Sequence, residues 1–207
     1  MTKLMNFDIR QINKKIIKPT LSESVCIIWS VSNKIPKIVR VLIPKPGLSA
    51  ECQASELYPD SRISSCAEID AVSAAIKAYL EGEDVVFTMD IVDFTLCSTF
   101  QQTVLRAEHG VPRGSVSTYK LIAAHLGIPK GARAVGNALA NNPFPLIVPC
   151  HRVICSDKHI GGYGGGIEMK RALLEREGIR FDKAGRVICP RFHYDRTGEN
   201  RYKNHLT

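Results

Sequence analysis

Hydrophobic and polar positions along the chain change their period midway. Residues 25–31 and 37–43 are apolar, β-branched runs separated by Asn33 and Pro36, a pattern that predicts a β-hairpin. Residues 45–65 are rich in Pro, Gly and Ser and read as a loop. Ile69, Val72, Ile76, Tyr79 and Leu80 then recur at helical spacing, with Gly82 closing the helix. Residues 85–94 read as another strand and a linker, which sets a domain boundary near Leu96.

Beyond that point helical periods dominate. Ser98 or Thr99 caps a helix running to about His109, with Phe100, Val104 and Leu105 turned inward. A second helix is expected over 117–126, ended by Gly127 with Pro129 after it. A third covers 132–140 and stops at Asn141, Asn142 and Pro143. Two short helices joined by a glycine-containing turn make a helix-turn-helix candidate. A last helix over 168–177 ends at Gly178.

Composition narrows the function classes. With 44% hydrophobic and 23% charged residues in 207, the chain reads as a soluble globular protein. No apolar run approaches the roughly 18 residues of a membrane span, and MTKLMNFDIR lacks the apolar centre of a signal peptide, so a cytoplasmic location is expected. The 7 cysteines are an odd count without CxxC spacing, which argues against a disulfide framework. All 6 histidines lie at or beyond His109, so the N-terminal half holds no zinc site of Cys/His spacing, and no structural metal is expected. Charge divides unevenly: residues 1–97 carry a net −1 and residues 98–207 a net +9. A basic half-chain favours a polyanionic partner such as nucleic acid.

Three stretches carry candidate chemistry. In ARAVGNALA (132–140) almost every side chain is small, which suits close approach to a DNA minor groove about 6 Å wide, or to another helix. Five glycines and Tyr163 between 161 and 166 form a loop whose backbone can approach a ligand, without the lysine of a nucleotide-binding loop. PLIVPCHRVICS places Cys150 beside His151 among apolar residues. Cys150 could be a buried core thiol, a metal ligand, half of a hydrolase dyad, or a nucleophile joined to His151 by one water. A carboxylate behind the histidine, Glu177 or Glu175, would hold its tautomer, and Arg152 would supply positive charge. A free thiol, with a pKa near 8.5, needs such help to ionise, and a soft thiolate attacks saturated carbon well.

Taken together and in order, VPRGSVSTYKLIAAHLG, ARAVGNALANNP, IVPCHRVICSD and IGGYGGGIEMKRALLEREG resemble the C-terminal domain of the O6-alkylguanine-DNA alkyltransferases, the methylated-DNA–protein-cysteine methyltransferases. The resemblance covers about 40% of the chain. It implies an α+β fold: a small N-terminal α/β supporting domain over 1–96 and a mainly helical domain over 97–184 whose helix-turn-helix is winged-helix-like; residues 185–207 extend past the family core and by composition read as a basic, flexible tail. It implies an irreversible, stoichiometric transfer of an alkyl group from O6-alkylguanine, with O4-alkylthymine as a further candidate, in double-stranded DNA read with little sequence preference. The protein would act as a monomer without cofactor or metal, by flipping the base out of the duplex.

Carried over by position, Cys150 is the acceptor, His151 activates it through water, and Glu177 partners His151. Asn142 braces the active-site turn, and Tyr119 donates a hydrogen bond to the flipped base. Arg133 enters the stack in place of the base, with Ala132, Gly136, Thr118 and Tyr119 along the DNA. Pro145, Val153, Tyr163 and Gly164 form the pocket, the Cys150 and Val153 carbonyls and the Gly164 amide holding guanine edges. Two departures stand out: Gly164 where some members have serine, and Ala140 where some have a second arginine. Three other functions compete: a lesion-binding protein that does not repair, a cysteine hydrolase, and a transcriptional regulator using the helix-turn-helix.

Overall fold

The computed structural model describes residues 12–20, 23–189 and 191–195. A four-stranded sheet opens the chain, built from β1 (Asn13–Ile17), β2 (Val25–Ser32), β3 (Ile35–Leu42) and β4 (Arg62–Ile63) in the order β3-β2-β1-β4. β2 runs antiparallel to both neighbours, and β4 pairs parallel to β1. The hairpin between β2 and β3 turns on Asn33 and Lys34, both with positive φ, as a two-residue turn matched to strand twist requires. Pro36 lies inside β3 rather than in the turn, because β3 is an edge strand with one side free of ladder bonds.

Alternation along β2 sorts its side chains between two cores. Cys26 and Ile28 face a small cluster with Ala50 and Ala54 of α1 (Ala50–Leu57). Val25, Ile27 and Trp29 face the main core with Ile69, Ile76 and Leu80 of α2 (Ala67–Leu80). Helix α1 and strand β4 fall in the stretch expected to be loop. The sequence hid α1 because its buried positions are only Ala50, Gln53 and Ala54, while Ser49 caps it through the Cys52 amide at 3.1 Å. Residues 85–94, expected to hold a strand, form none; they run irregularly and meet β3 at an isolated bridge between Ile38 and Val92 and where Lys37 donates to the Asp90 carbonyl.

The second half packs α3 (Thr99–His109), α4 (Tyr119–His125), α5 (Ala132–Ala140) and α6 (Gly166–Arg176) with two short pairs. β5 (Ser117–Thr118) lies parallel to β6 (Val153–Ile154), and β7 (Arg180–Phe181) antiparallel to β8 (Val187–Ile188). Ser98 caps α3 through the Gln101 amide at 3.2 Å. Phe100, expected inward, is 41% exposed. The main core is continuous across the expected boundary: Ile27, Ile76, Leu105, Ile122, Phe144 and Leu173 belong to one cluster. Arg113 fastens the halves further, donating to the carbonyls of Gly82 and Glu83 after α2 and of Arg176 at the end of α6. Cations suit these C-terminal carbonyls.

The described part of the tail, residues 185–189 and 191–195, packs against the second half. Val187 is buried, the His193 amide donates to the Val116 carbonyl at 2.8 Å, and the Tyr194 hydroxyl donates to the Ala107 carbonyl at 2.7 Å. Arg196, Glu199, Arg201 and Lys203, also read as tail, lie outside the described residues. Among the described residues no helix is long and apolar enough to cross a membrane.

Phe144 is fully buried in the main core and packs edge-on against Phe94 at 5.6 Å. Phe144→Ala should therefore cost about 3–5 kcal/mol in denaturant unfolding; a loss under about 1 kcal/mol would mean that the two halves do not share this core.

Candidate active site

Asn142 builds the turn that leads to Cys150. Its Oδ1 accepts from the Phe144 amide at 2.9 Å, while Nδ2 donates to the Val148 carbonyl at 3.0 Å and reaches Cys150 Sγ at 3.3 Å. These partners on opposite atoms fix which way the amide points. Within the turn, Leu146 sits at φ 74°, a left-handed conformation that costs a bulky residue on the order of 1–3 kcal/mol. Burial of its side chain and the Asn142 clamp hold it there. A 3-10 turn, Cys150–Arg152, follows and leads into β6.

Behind the thiol lies a buried ionic cluster. His151 Nε2 is 3.1 Å from Glu177 Oε1 and 2.9 Å from the Tyr79 hydroxyl, which itself donates to Glu177 Oε1 at 2.6 Å. Arg152 donates through Nε to Oε2 at 2.9 Å and through Nη2 to Oε1 at 2.7 Å, and its Nη1 reaches the Val111 carbonyl at 2.7 Å. Burial alone would raise the Glu177 carboxyl; hydrogen bonds from His151 and Arg152 and the Arg152 charge overcome it and hold the group down at about 2. Burial lowers the His151 pKa below its ordinary value against the pull of Glu177, so the imidazole is neutral at pH 7. With Glu177 an acceptor, Nε2 carries the ring proton and Nδ1 is left as a buried lone pair without a partner among the described residues.

Glu177, not Glu175, stands behind His151: Glu175 is exposed and pairs with Arg171 at 2.9 Å. Arg152, expected to lend charge to the thiol, is committed to Glu177. Burial, with the charge of Glu108 next, pushes the Cys150 thiol up to about 12, against an Asn142 hydrogen bond and the Lys170 charge. Cys150 therefore rests as a thiol, and its ionisation must accompany the reaction.

Cys150 opens onto a groove of about 750 Å³. Pro145, Tyr163 and Gly164 line it beside the thiol, with Ala134, Asn137 and Ala138 of α5 and Arg40, Ile43 and Lys45 from the first half. Gly165 lets the two halves meet at this rim, since a Cβ there would lie 3.2 Å from the Pro44 carbonyl and 2.3 Å from Met169 Sδ. Val153, expected in the pocket, is fully buried away from the groove, and its carbonyl takes the Lys170 ammonium at 2.6 Å. Thr118, expected along the DNA, is 2% exposed and spends its hydroxyl capping α4 through the Leu121 amide at 3.1 Å. Helix α5 buries Val135 and Leu139 and turns Arg133, Ala134, Asn137 and Ala140 outward, so its bulk faces the core and its small face is free. Ala132 and Gly136 are half-buried, and the Tyr119 ring lies 3.8 Å from where a Gly136 Cβ would stand.

Sequence reasoning missed Tyr79, Lys170 and Glu108. Tyr79 was visible only as one more apolar position of α2, and Lys170 sits in a charged stretch. Glu108 did carry a signal, an acid one helical turn after inward-facing Val104.

The family model described as "6-O-methylguanine DNA methyltransferase, DNA binding domain" matches residues 99–179. The methylated-DNA–protein-cysteine methyltransferase of Mycobacterium tuberculosis (strain H37Rv) is 43% identical over 129 residues, 60% of this chain and 76% of that protein. The chain belongs to this methyltransferase family. The Methanothermobacter thermautotrophicus member is 44% identical over 108 residues, spanning 52% of this chain and 60% of the relative's own length. The crystal structure of the Mycobacterium tuberculosis O6-methylguanine methyltransferase superposes with a TM-score of 0.64 at 30% identity, covering 80% of this chain and 92% of that one. The same protein in complex with DNA gives a TM-score of 0.60 at 28% identity, with 80% and 93% coverage.

The depressed Glu177 carboxyl has a consequence for the stability of the chain. Its contribution is complete above the ordinary carboxylate pKa, about 4.5, and is lost as pH falls through that value towards about 2. Glu177→Gln should flatten that acid limb and, by leaving Arg152 buried without its counter-charge, cost about 3–5 kcal/mol at pH 7. Chemical denaturation from pH 2 to 7 checks both, and an unchanged acid limb would contradict the assignment.

Proposed function

We propose that this chain is a single-use repair protein that takes the alkyl group of O6-alkylguanine in double-stranded DNA onto Cys150 Sγ. The observation that carries the reading is Cys150 at the wall of an open groove, with a neutral His151 fixed behind it by an ionised Glu177. A groove of this volume suits a flipped, alkylated purine.

In the reaction the thiol proton passes through water to His151 Nδ1 and the sulfur attacks the alkyl carbon. The S–C bond forms as the bond from carbon to O6 breaks, and the electron pair leaves on guanine. Burial and the nearby thiols of Cys155 and Cys150 push the Tyr119 hydroxyl up to about 12, so it stays a donor at neutral pH. It hands a proton to the departing base, which leaves neutral, and the proton held by His151 balances the exchange. The product thioether is stable, so each molecule reacts once. Asn142 keeps the sulfur aimed into the groove. Arg133, on the exposed small face of α5, fills the gap left by the extruded base, while Ala134, Asn137 and Ala140 let the helix lie in the minor groove.

Incubation with duplex DNA carrying O6-methylguanine should add ~14 Da to the Cys150 peptide, the mass of a methyl replacing hydrogen in covalent catalysis of this kind. An adduct on Cys155, or multiple turnovers, would contradict the reading. Cys150→Ser should abolish transfer while keeping lesion-DNA binding. Arg133→Ala should weaken binding across sequences and slow transfer at least about tenfold at limiting DNA, with wild-type folding by circular dichroism; unchanged transfer would remove Arg133 from the flipping step.

A further inference from the structure

Four buried side-chain polar atoms lack a hydrogen-bond partner among the described residues: both carboxyl oxygens of Glu108, His151 Nδ1 and the Tyr163 hydroxyl. His151 adjoins Cys150 in sequence, and its ring lies 6.3 Å from that of Tyr163, which lines the groove with Cys150. Glu108 is fully buried in the last turn of α3, which packs against the Cys150–Arg152 turn. An unpartnered ionised carboxylate in such a place is costly, and the neutral acid far less so.

The groups around Glu108 are Arg152 and Cys150 on the 3-10 turn, Lys170 on α6, Glu177 after it, Tyr163 in the glycine loop and Tyr194 in the tail. Neither cation pairs with it: Arg152 is bound to Glu177 and Val111, and the Lys170 ammonium donates to the carbonyls of Val153 and Gly162. Burial raises the Glu108 carboxyl to about 8. Of the charges acting on the Cys150 thiol, that of Glu108 is the strongest opponent of its ionisation.

We propose that Glu108 is a positioning residue for alkyl transfer that acts through Cys150: as an uncharged acid it completes the buried polar space behind the thiol, and as a carboxylate it opposes the thiolate. The inference rests on Cys150 being the alkyl acceptor, but concerns its reactivity whatever the alkyl donor. Glu108 thereby sets an upper pH limit to the protein's reactivity. Below about pH 8 the neutral acid leaves Cys150 free to give its proton to His151. Above it, the rise expected for an ionising thiol is cut back.

The test is iodoacetamide alkylation of Cys150 in the full chain, followed by peptide mass from pH 6 to 10, which needs no DNA. In Glu108→Gln the rate at pH 7 should stay within about threefold of wild type. At pH 9.5 it should exceed wild type by about tenfold, the effect of one pKa unit. Glu108→Met, which also removes the charge, should show the same alkaline gain. Single-turnover methyl transfer from O6-methylguanine DNA should follow the same profiles. Parallel profiles in wild type and both variants would overturn the proposal, as would a uniform rate change at every pH, the mark of a merely structural role. Matching iodoacetamide profiles with no methyl transfer in wild type would overturn the repair reading and leave the role of Glu108 standing.

Discussion

The carboxylate of Glu177 is the constraint around which the site is organised. It is buried, and a buried carboxylate survives only if its charge is matched and its lone pairs are occupied. Arg152 supplies the charge and three hydrogen-bond contacts, Tyr79 one more, and His151 another. Once the carboxylate is fixed, the tautomer of His151 follows, and with it the free lone pair on Nδ1. The base in the proposed reaction is thus a consequence of an ion pair several bonds away from the sulfur.

That ion pair also explains why the two halves fold together. Tyr79 comes from α2, while Arg152, His151 and Glu177 come from beyond residue 150, so the polar cluster completes itself only when the halves pack. Arg113 performs a related task at the surface of the same junction, tying the carbonyls that end α2 to the one that ends α6. The first half is more than a scaffold, because Arg40, Ile43 and Lys45 also shape the groove beside Cys150.

Much of this was legible in the residues. The long periodic helices α2 and α3, the small-residue helix α5 and the hairpin followed from local pattern, since burial on one face leaves a period in the chain. Helix α1 was not legible, because two alanines and a glutamine make a weak apolar stripe. Residues 85–94 looked like a strand, but their apolar side chains pack against the core without a partner strand to complete a ladder. At the site, the run around Cys150 and the later Glu177 carried the strongest signal. Tyr79 and Lys170 were hidden because their roles arise from what long-range packing brings near them, and Glu108 showed only as an acid one turn after Val104. Val153 and Thr118 were placed at the ligand by the resemblance; both side chains are buried, and the Val153 carbonyl takes the Lys170 ammonium.

The protonation state of His151, read by nitrogen NMR on histidine-labelled protein between pH 7 and 8, bears on the site most directly. A neutral ring carrying its proton on Nε2 is expected throughout that range, with Nδ1 unprotonated and this single tautomer lost in Glu177→Gln. A ring protonated on Nδ1, or a charged imidazolium at pH 7, would contradict it.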